Sequence, residues 1–278
     1  MKKSLTALTL LVMLFGATAG VRAADSVRIE DDFNLAYPAG KSDEIVEYLK
    51  GKYIDDQSFA QNLGPEYSSS YGDEDFTDQY FDTRKLDLHK RKAGLRYRAR
   101  VDRADPGKRK ELVQLKLSGD DKFSDAGNTG SRNEIKFDVS GLAEALEIKE
   151  FRDAIKQLGL DPYGLKPILT IEQHRRRIYL NRDSETFISF SVDDAKSRRW
   201  WARAEFSQME VELNELAYTG ASELEREKMQ EIRAAMITDL REKFPYLEND
   251  NTIKYTKMFD LLKKRLPFLR FFIKIGIM

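Results

Sequence analysis

The sequence predicts an α+β, mainly β fold: a closed eight-stranded antiparallel β-barrel (a tunnel) with flanking helices. Apolar and polar residues alternate with a period of two up to about residue 215, a pattern that is typical of β-strands. The successive strands have mostly short, turn-rich connections, which favour antiparallel pairing and closure into a barrel. Helical periodicity follows these strands, and such helices could cover the apolar faces of the barrel.

Eight segments carry the strand pattern. They are Val27–Leu35, Gln79–Asp82, Leu95–Asp102, Glu111–Ser118, Arg132–Val139, Pro167–Leu180, Thr186–Asp193 and Trp201–Leu213. Helices are predicted for a short segment that Ser42 caps, and then for Leu142–Leu158, Ser222–Lys243 and Asn251–Leu266. Residues 64–74 are predicted to form a polar loop.

The first 23 residues are predicted to be a secretory signal peptide rather than part of the fold. Lys2 and Lys3 precede the apolar run Leu5–Phe15, and Val21-Arg22-Ala23 offers a cleavage site. The apolar run is shorter than the roughly 20 residues that span a bilayer. We therefore expect an exported, periplasmic protein in which residues 24–278 form a single tunnel domain with C-terminal helices.

The composition excludes several classes of site. The chain has no cysteine, so a disulfide framework, a thiolate nucleophile and a cysteine zinc site are all excluded. It carries 47 Lys and Arg against 47 Asp and Glu, whereas a general nucleic-acid binder is expected to be basic. Its two histidines, His89 and His174, lie in basic runs without the spacing of a catalytic triad or a metal site.

Charged residues occupy one face of several predicted strands, and apolar residues occupy the other. The charged positions are Glu30 beside Arg28 and Asp32, the set Arg96, Arg98 and Arg100, the pair Gln114 and Lys116, and the pair Glu210 and Glu212. One interpretation is an ordinary half-buried sheet with charges in solvent. The other is a barrel with a charged interior, which is favoured because cations and carboxylates segregate by strand and helices are available to cover the outside.

Inside a barrel, this pattern indicates a phosphate ligand. Buried like charges are costly without a ligand, and arginine forks match phosphate oxygens while lysine adds a compact positive charge. Glu210 and Glu212 lie two residues apart, so on a strand they project from one face and suit Mg²⁺ or Mn²⁺. Cations together with a hard divalent metal favour a polyphosphoryl substrate.

The chain resembles the CYTH, or triphosphate tunnel metalloenzyme, superfamily over most of residues 27–262. The most specific resemblance is QYFDTRKLDLHKRKAGLRYRAR, from Gln79 to Arg100. Weaker matches follow in the family's order: VQLKLSG, RNEIKF, HRRRIYL, ISFSVDD, MEVEL and NTIKYTKMFDLL, which begin at Val113, Arg132, His174, Ile188, Met209 and Asn251.

The resemblance implies roles for individual residues. Arg96, Arg98, Lys116, Arg132, Arg176 and Lys254 match positions that bind the phosphates of the substrate. Glu210 and Glu212 match the metal-binding E-x-E pair, and Asp193 matches an acidic position just before it. Glu30 is implied as a third metal ligand, and Glu30 and Glu212 as catalytic groups.

The opening motif departs from the family. The family begins with E-x-E-x-K, whereas this chain has Arg28-Ile29-Glu30-Asp31-Asp32. Arg28 would replace the first glutamate and Asp32 the lysine, so one metal ligand and one phosphate contact are in doubt, and activity could be altered, reduced or lost.

Four interpretations of function follow. The first is a metal-dependent hydrolase of inorganic triphosphate, polyphosphate or a related phosphoanhydride, with Mg²⁺ or Mn²⁺ as cofactor. The others are a related polymerase or nucleotidyl cyclase, a non-catalytic tunnel protein that binds polyphosphate or another anion, and an unrelated β-protein. No nucleic acid is expected as a partner. The tail from Lys264 onward is expected to pack on the barrel or to contact a membrane surface weakly.

Overall fold

The computed structural model of the chain describes residues 28–118 and 129–277. At residues 28–32, 118, 129–133 and 215 it describes the backbone only. The predicted signal peptide therefore lies outside the described residues.

Strands make up most of the first two thirds of the described chain. The strands are β1 (Arg28–Tyr37), β2 (Tyr67–Asp82), β3 (Gly94–Asp102), β4 (Arg109–Ser118), β5 (Thr129–Phe137), β6 (Lys166–Arg182), β7 (Glu185–Arg199), β8 (Ala202–Leu213) and β9 (Glu248–Asn249). The α-helices are α1 (Ser42–Lys50), α2 (Ser58–Leu63), α3 (Asp87–Lys90), α4 (Leu142–Glu147), α5 (Lys149–Gln157), α6 (Glu215–Gly220), α7 (Glu223–Lys243), α8 (Lys254–Arg265) and α9 (Leu269–Ile275).

The prediction of a closed eight-stranded barrel is wrong. Over the described residues the strands form one nine-stranded sheet in the order β5-β4-β3-β2-β6-β7-β8-β1-β9, and its pairings are antiparallel, including an additional one between β1 and β5. The ninth strand, β9, pairs with Leu35 and Ala36 of β1. It was missed because two exposed residues cannot show an alternating pattern.

The predicted polar loop at residues 64–74 is also wrong for most of its length. Strand β2 begins at Tyr67 and pairs with β6 from the Tyr67–Arg182 position onward. The start of this strand was not predicted because the polar run Ser68–Ser70 shows no alternation of apolar and polar residues. These serines are exposed or half-buried in the structure.

We call the face of the sheet that carries Arg96 and Arg98 the inner face, and the opposite one the outer face. Apolar side chains of the outer face, such as Ile178 and Val211, pack against Leu49 of α1 and Leu240 of α7 in one core cluster. In another cluster, α5 packs against β3 and β4. Burial of these apolar surfaces contributes about 25 cal/mol per Å² and holds the helices on the sheet.

The predicted helices are confirmed with shifted ends. Helix α7 starts after Ser222, whose side chain and that of Glu225 form a reciprocal capping box. The region Leu142–Leu158 divides into α4 and α5 at Ile148. Ser42 does not cap α1: it is the first residue of the helix, and its hydroxyl donates to Asp194 instead.

Helix α8 lies at one end of the inner face. Its residues Tyr255, Met258 and Phe259 pack against Tyr80 and Ile171 of the sheet. This packing brings the start of the helix next to the charged residues of β6 and β8. None of the helices in the described part of the chain is both long and apolar enough to cross a membrane.

Candidate functional site

A cavity of about 290 Å³ lies on the inner face of the sheet. Side chains from seven strands and from the start of α8 line it, so the sheet must curve around it. Six of the residues predicted from the sequence line this cavity together: Arg96, Arg98, Lys116, Glu210, Glu212 and Lys254.

The wall of the cavity is strongly cationic. Among the described residues, nine lysines and arginines line it, against three acidic residues. The cations are Arg96, Arg98, Arg100, Lys110, Lys116, Lys136, Arg175, Arg177 and Lys254, and the acids are Asp138, Glu210 and Glu212. So many like charges around one small space favour an anionic ligand.

Buried carboxylates behind the wall hold these cations in place. Asp78 of β2 is fully buried and accepts from Arg98 Nε and Nη2, each at 2.6 Å, and from Arg96 Nη1 at 3.1 Å. Burial opposes the charged form of Asp78, but Arg96 and Arg98 outweigh it and hold the pKa of this carboxyl well below its usual range. Asp78 thus stays ionised and carries one negative charge for two cations.

A second carboxylate repeats this arrangement on the neighbouring strands. Glu134 of β5 is fully buried and lies 3.4 Å from Lys116 Nζ and 2.5 Å from Lys136 Nζ. Like Asp78, it is shared between two cations of the wall.

The ring of Phe76 orients the arginines further. Its centroid lies 4.4 Å from Cζ of Arg98, 5.3 Å from that of Arg175 and 6.0 Å from that of Arg100. A guanidinium over an aromatic face gains cation–π attraction and loses side-chain freedom. The arginine forks are therefore ordered before any ligand binds.

The floor of the cavity is a buried network of two cations and two carboxylates. Arg175 donates from Nε and Nη2 to the two oxygens of Asp193, each at 2.6 Å, and from Nη2 to Glu210 at 2.7 Å. Lys254 contacts Asp193 and lies 3.1 Å from Glu210. This pairing compensates all four buried charges.

Burial disfavours the charged form of both carboxyls of the floor, but their cationic neighbours outweigh it. Lys254, Arg175 and Lys116 hold the pKa of Glu210 well below its usual range. Arg175 and Lys254 likewise lower the pKa of Asp193. Both carboxylates are therefore ionised at neutral pH and bind the two cations.

The described carboxylates do not form a metal site held by protein alone. In residues 28–118 and 129–277, no group of three or more His, Cys, Asp or Glu side chains could hold a metal ion. Glu210 is also engaged with Arg175 and Lys254. Glu212 is half-buried at the cavity, two residues further along the same strand face. The pair fits only a cation that substrate phosphates help to hold, which is a usual arrangement for Mg²⁺.

The structure does not bring Arg176 to the cavity with the other residues predicted to bind phosphate. Its side chain contacts Asp43 and Asp194 on the outer face and does not line the cavity. Its neighbours Arg175 and Arg177 line the cavity instead. Alternation along β6 could have shown this, because Arg176 shares its face with the apolar Ile178, which packs in the outer core.

Two other predicted site residues, Glu30 and Arg132, are described by their backbone alone. Glu30 of β1 pairs with Arg132 of β5, and Asp32 of β1 pairs with Glu212 of β8. The altered opening motif therefore lies on the strand next to the E-x-E pair.

Several residues of the site were not predicted from the sequence. Asp78 fell just before the predicted strand Gln79–Asp82, so its place on the inner face was not recognised. Arg175, Arg177, Lys110 and Lys136 also line the cavity and were not predicted. For Lys110 the usable signal was its even spacing from Gln114 and Lys116 on one strand face, and for Lys136 it was alternation with the apolar Ile135 and Phe137.

Comparison with known families identifies the chain. The model of the CYTH domain matches residues 52–244, which is most of the chain. The protein therefore belongs to the CYTH family, as its motifs predicted. The matched range contains β2 to β8 but neither the altered opening motif nor Lys254.

Several solved structures are similar at low sequence identity. A Bacillus halodurans protein, a candidate adenylate cyclase, is 16% identical with a TM-score of 0.49, over 84% of this chain and all of the other. HpAC1 from Hippeastrum, described as dominantly a triphosphatase, is 14% identical with a TM-score of 0.49, over 83% and 95%. The S. pombe RNA triphosphatase Pct1 is 11% identical with a TM-score of 0.36, over 89% and 85%. No curated protein matches the chain.

Proposed function

We propose that this protein hydrolyses inorganic triphosphate, polyphosphate or a related phosphoanhydride in the cavity of the inner face. The observation that carries this proposal is the excess of cations over acids around a space of about 290 Å³. That volume is close to the lower end of small-molecule sites, which span about 300–1,000 Å³. A linear chain of phosphate groups suits a narrow space with cations on several sides.

The cations of the wall supply binding and charge stabilisation. Arg98 uses Nε and Nη2 to hold Asp78, which leaves Nη1 for a phosphate oxygen. Lys116 and Arg177 line the same cavity from neighbouring parts of the sheet. Ordered cations that surround a phosphoryl group stabilise the charge that develops in its transition state.

Among the described side chains, we assign Glu212 to catalysis. We propose Glu30 as its partner. A divalent cation shared between Glu210, Glu212 and the substrate would neutralise phosphate charge. Glu212 itself would orient the attacking water through its carboxylate. Arg175 and Lys254 keep Glu210 ionised and fixed beside it.

Glu212→Gln should lower turnover of tripolyphosphate by at least about 100-fold and leave its binding within a few-fold, because the change removes a charged oxygen and preserves shape. The measurement is orthophosphate release with Mg²⁺, with Mn²⁺ and with a chelator, beside equilibrium binding of the same ligand. Glu205→Gln is the matched control, since Glu205 is an exposed carboxylate of the same strand outside the cavity.

A second candidate function is binding of polyphosphate without hydrolysis. The observation that favours it is the engagement of Glu210 by Arg175 and Lys254, which reduces its capacity to bind a metal. If the wild-type protein binds tripolyphosphate and releases no orthophosphate under any metal condition, the hydrolase proposal fails and this one replaces it. Absence of binding would refute both.

We also propose that the protein acts outside the cytoplasm. The charged start, the short apolar run and the Val21-Arg22-Ala23 site support export. N-terminal sequencing of the protein from a bacterial periplasmic fraction should begin at or near Ala24. Recovery of the full-length chain from the cytoplasm alone would contradict export.

A further inference from the structure

A two-residue turn and the last helix form one aromatic surface. Trp200 and Trp201 make the turn between β7 and β8, and their rings stack at 5.8 Å. Trp200 also meets Phe272 of α9 edge-on at 5.1 Å. We call the surface formed by this turn and α9 the aromatic patch.

The aromatic patch is exposed. Trp201 is 75% exposed, Phe268 69%, Phe271 57% and Ile277 55%. Helix α9 already buries Leu269 and Ile273 in the core, so its outward apolar side chains are not needed to hold it on the sheet. Ring contacts join Trp201 to Phe271 through Trp200 and Phe272. An exposed apolar surface of this kind marks an interaction site.

The two residues of this turn are unusual for a hairpin loop of its length. Arg199 pairs with Ala202, so the loop has two residues, and such loops favour glycine or asparagine. Here both are tryptophan, and Trp200 adopts φ +51°, a conformation that a bulky residue rarely adopts. These are the only two tryptophans of the chain. Turn formation therefore does not account for their place at the tip.

The segments of the patch carry only positive charge. Residues 196–204 and 261–278 contain no Asp or Glu. They contain nine cations: Lys196, Arg198, Arg199, Arg203, Lys263, Lys264, Arg265, Arg270 and Lys274. The chain as a whole is balanced, with 47 residues of each sign, so these two segments concentrate positive charge. Arg198 and Arg199 contact Trp200 directly.

We propose that the aromatic patch docks this protein on the surface of an anionic phospholipid bilayer. Tryptophan and phenylalanine insert at the headgroup level of a membrane, and surrounding lysines and arginines are attracted to anionic lipids. A protein partner fits less well, because protein interfaces are depleted in lysine and the segments that carry the patch, residues 196–204 and 261–278, contain four lysines. The proposal is independent of the catalytic function of the cavity.

The two tryptophans make the test direct, because both lie in the patch. The mature chain is mixed with vesicles of phosphatidylcholine alone or of phosphatidylcholine with phosphatidylglycerol. We expect co-sedimentation and a blue shift of tryptophan emission with the anionic vesicles only, and weakening of both by salt. Absence of binding to the anionic vesicles would overturn the proposal.

Variants distinguish binding through the aromatic patch from nonspecific adsorption to vesicles. Phe271→Ser should weaken binding to anionic vesicles by about tenfold while both tryptophans remain as reporters. Leu224→Ser is the matched control, since Leu224 is 76% exposed on α7 and outside the patch, and it should bind like the wild type. Arg270→Glu combined with Lys274→Glu should remove the preference for anionic lipid.

An unchanged circular dichroism spectrum and an unchanged midpoint of thermal unfolding show that each variant is folded. Equal vesicle binding by Phe271→Ser and the wild type would refute the assignment of the patch. Self-association without lipid that Phe271→Ser abolishes would assign the patch to a second copy of the chain and would likewise overturn the proposal.

Discussion

Arg175→Met should lower the free energy of unfolding by about 3–5 kcal/mol, because it removes one cation from the buried network and leaves two carboxylates for Lys254 alone. Arg175 binds both oxygens of Asp193 and one of Glu210, and its side chain is only 6% exposed. Methionine keeps much of the apolar volume, so the loss reports the charge. Urea denaturation at neutral pH measures it.

Arg177→Met is the matched control for this prediction. Arg177 lies two residues further along the same strand and lines the same cavity, but its described hydrogen bonds are to the hydroxyls of Ser191 and Tyr179. Its loss should cost about 1 kcal/mol. If the two variants unfold at the same urea concentration, the network of the floor does not stabilise the fold in the way proposed.

Arg98→Ala should weaken binding of tripolyphosphate by about 1.5–3 kcal/mol, or roughly 10- to 150-fold, because it removes a charge-assisted contact. Asp78 keeps Arg96 as a partner, so the wall should remain folded. Calorimetric titration measures the affinity, and thermal unfolding checks the fold.

Arg103→Ala is the control on the outside of the sheet. Arg103 follows β3 and lies near Asp73, Asp75 and His174, away from the cavity. Its loss should leave the affinity for tripolyphosphate unchanged. An equal loss of affinity in both variants would show that the ligand responds to overall charge rather than to the cavity.

The alternation of residues predicted which strand faces are charged but not how the strands assemble. Arg96 and Arg98 alternate with apolar neighbours, and these positions do face one cavity together with Glu210 and Glu212. The predicted number of strands and the predicted extent of β2 were wrong. The serines of β2 and the two residues of β9 show no alternating apolar pattern from which a strand could be predicted. Strand pairing depends on contacts between distant segments, which periodicity does not report.

The site was predicted only in part, and the reason is similar. Family motifs identified several charges that line the cavity, but the carboxylates that hold them are positioned by the three-dimensional pairing of strands. Asp78 meets Arg98 because β2 and β3 pair at those residues. Arg176 was chosen over Arg175 by motif position alone, and the alternation of β6 shows that a shift of one residue reverses the face.

The most direct test of the central proposal is an experimental structure of the protein with bound tripolyphosphate. We expect the phosphate chain on the inner face, with oxygens within hydrogen-bond distance of Arg98 and Lys116 and with one end near Glu212. Phosphate bound on the outer face beside Arg103 or Arg176, or at the aromatic patch with the cavity empty, would contradict the account.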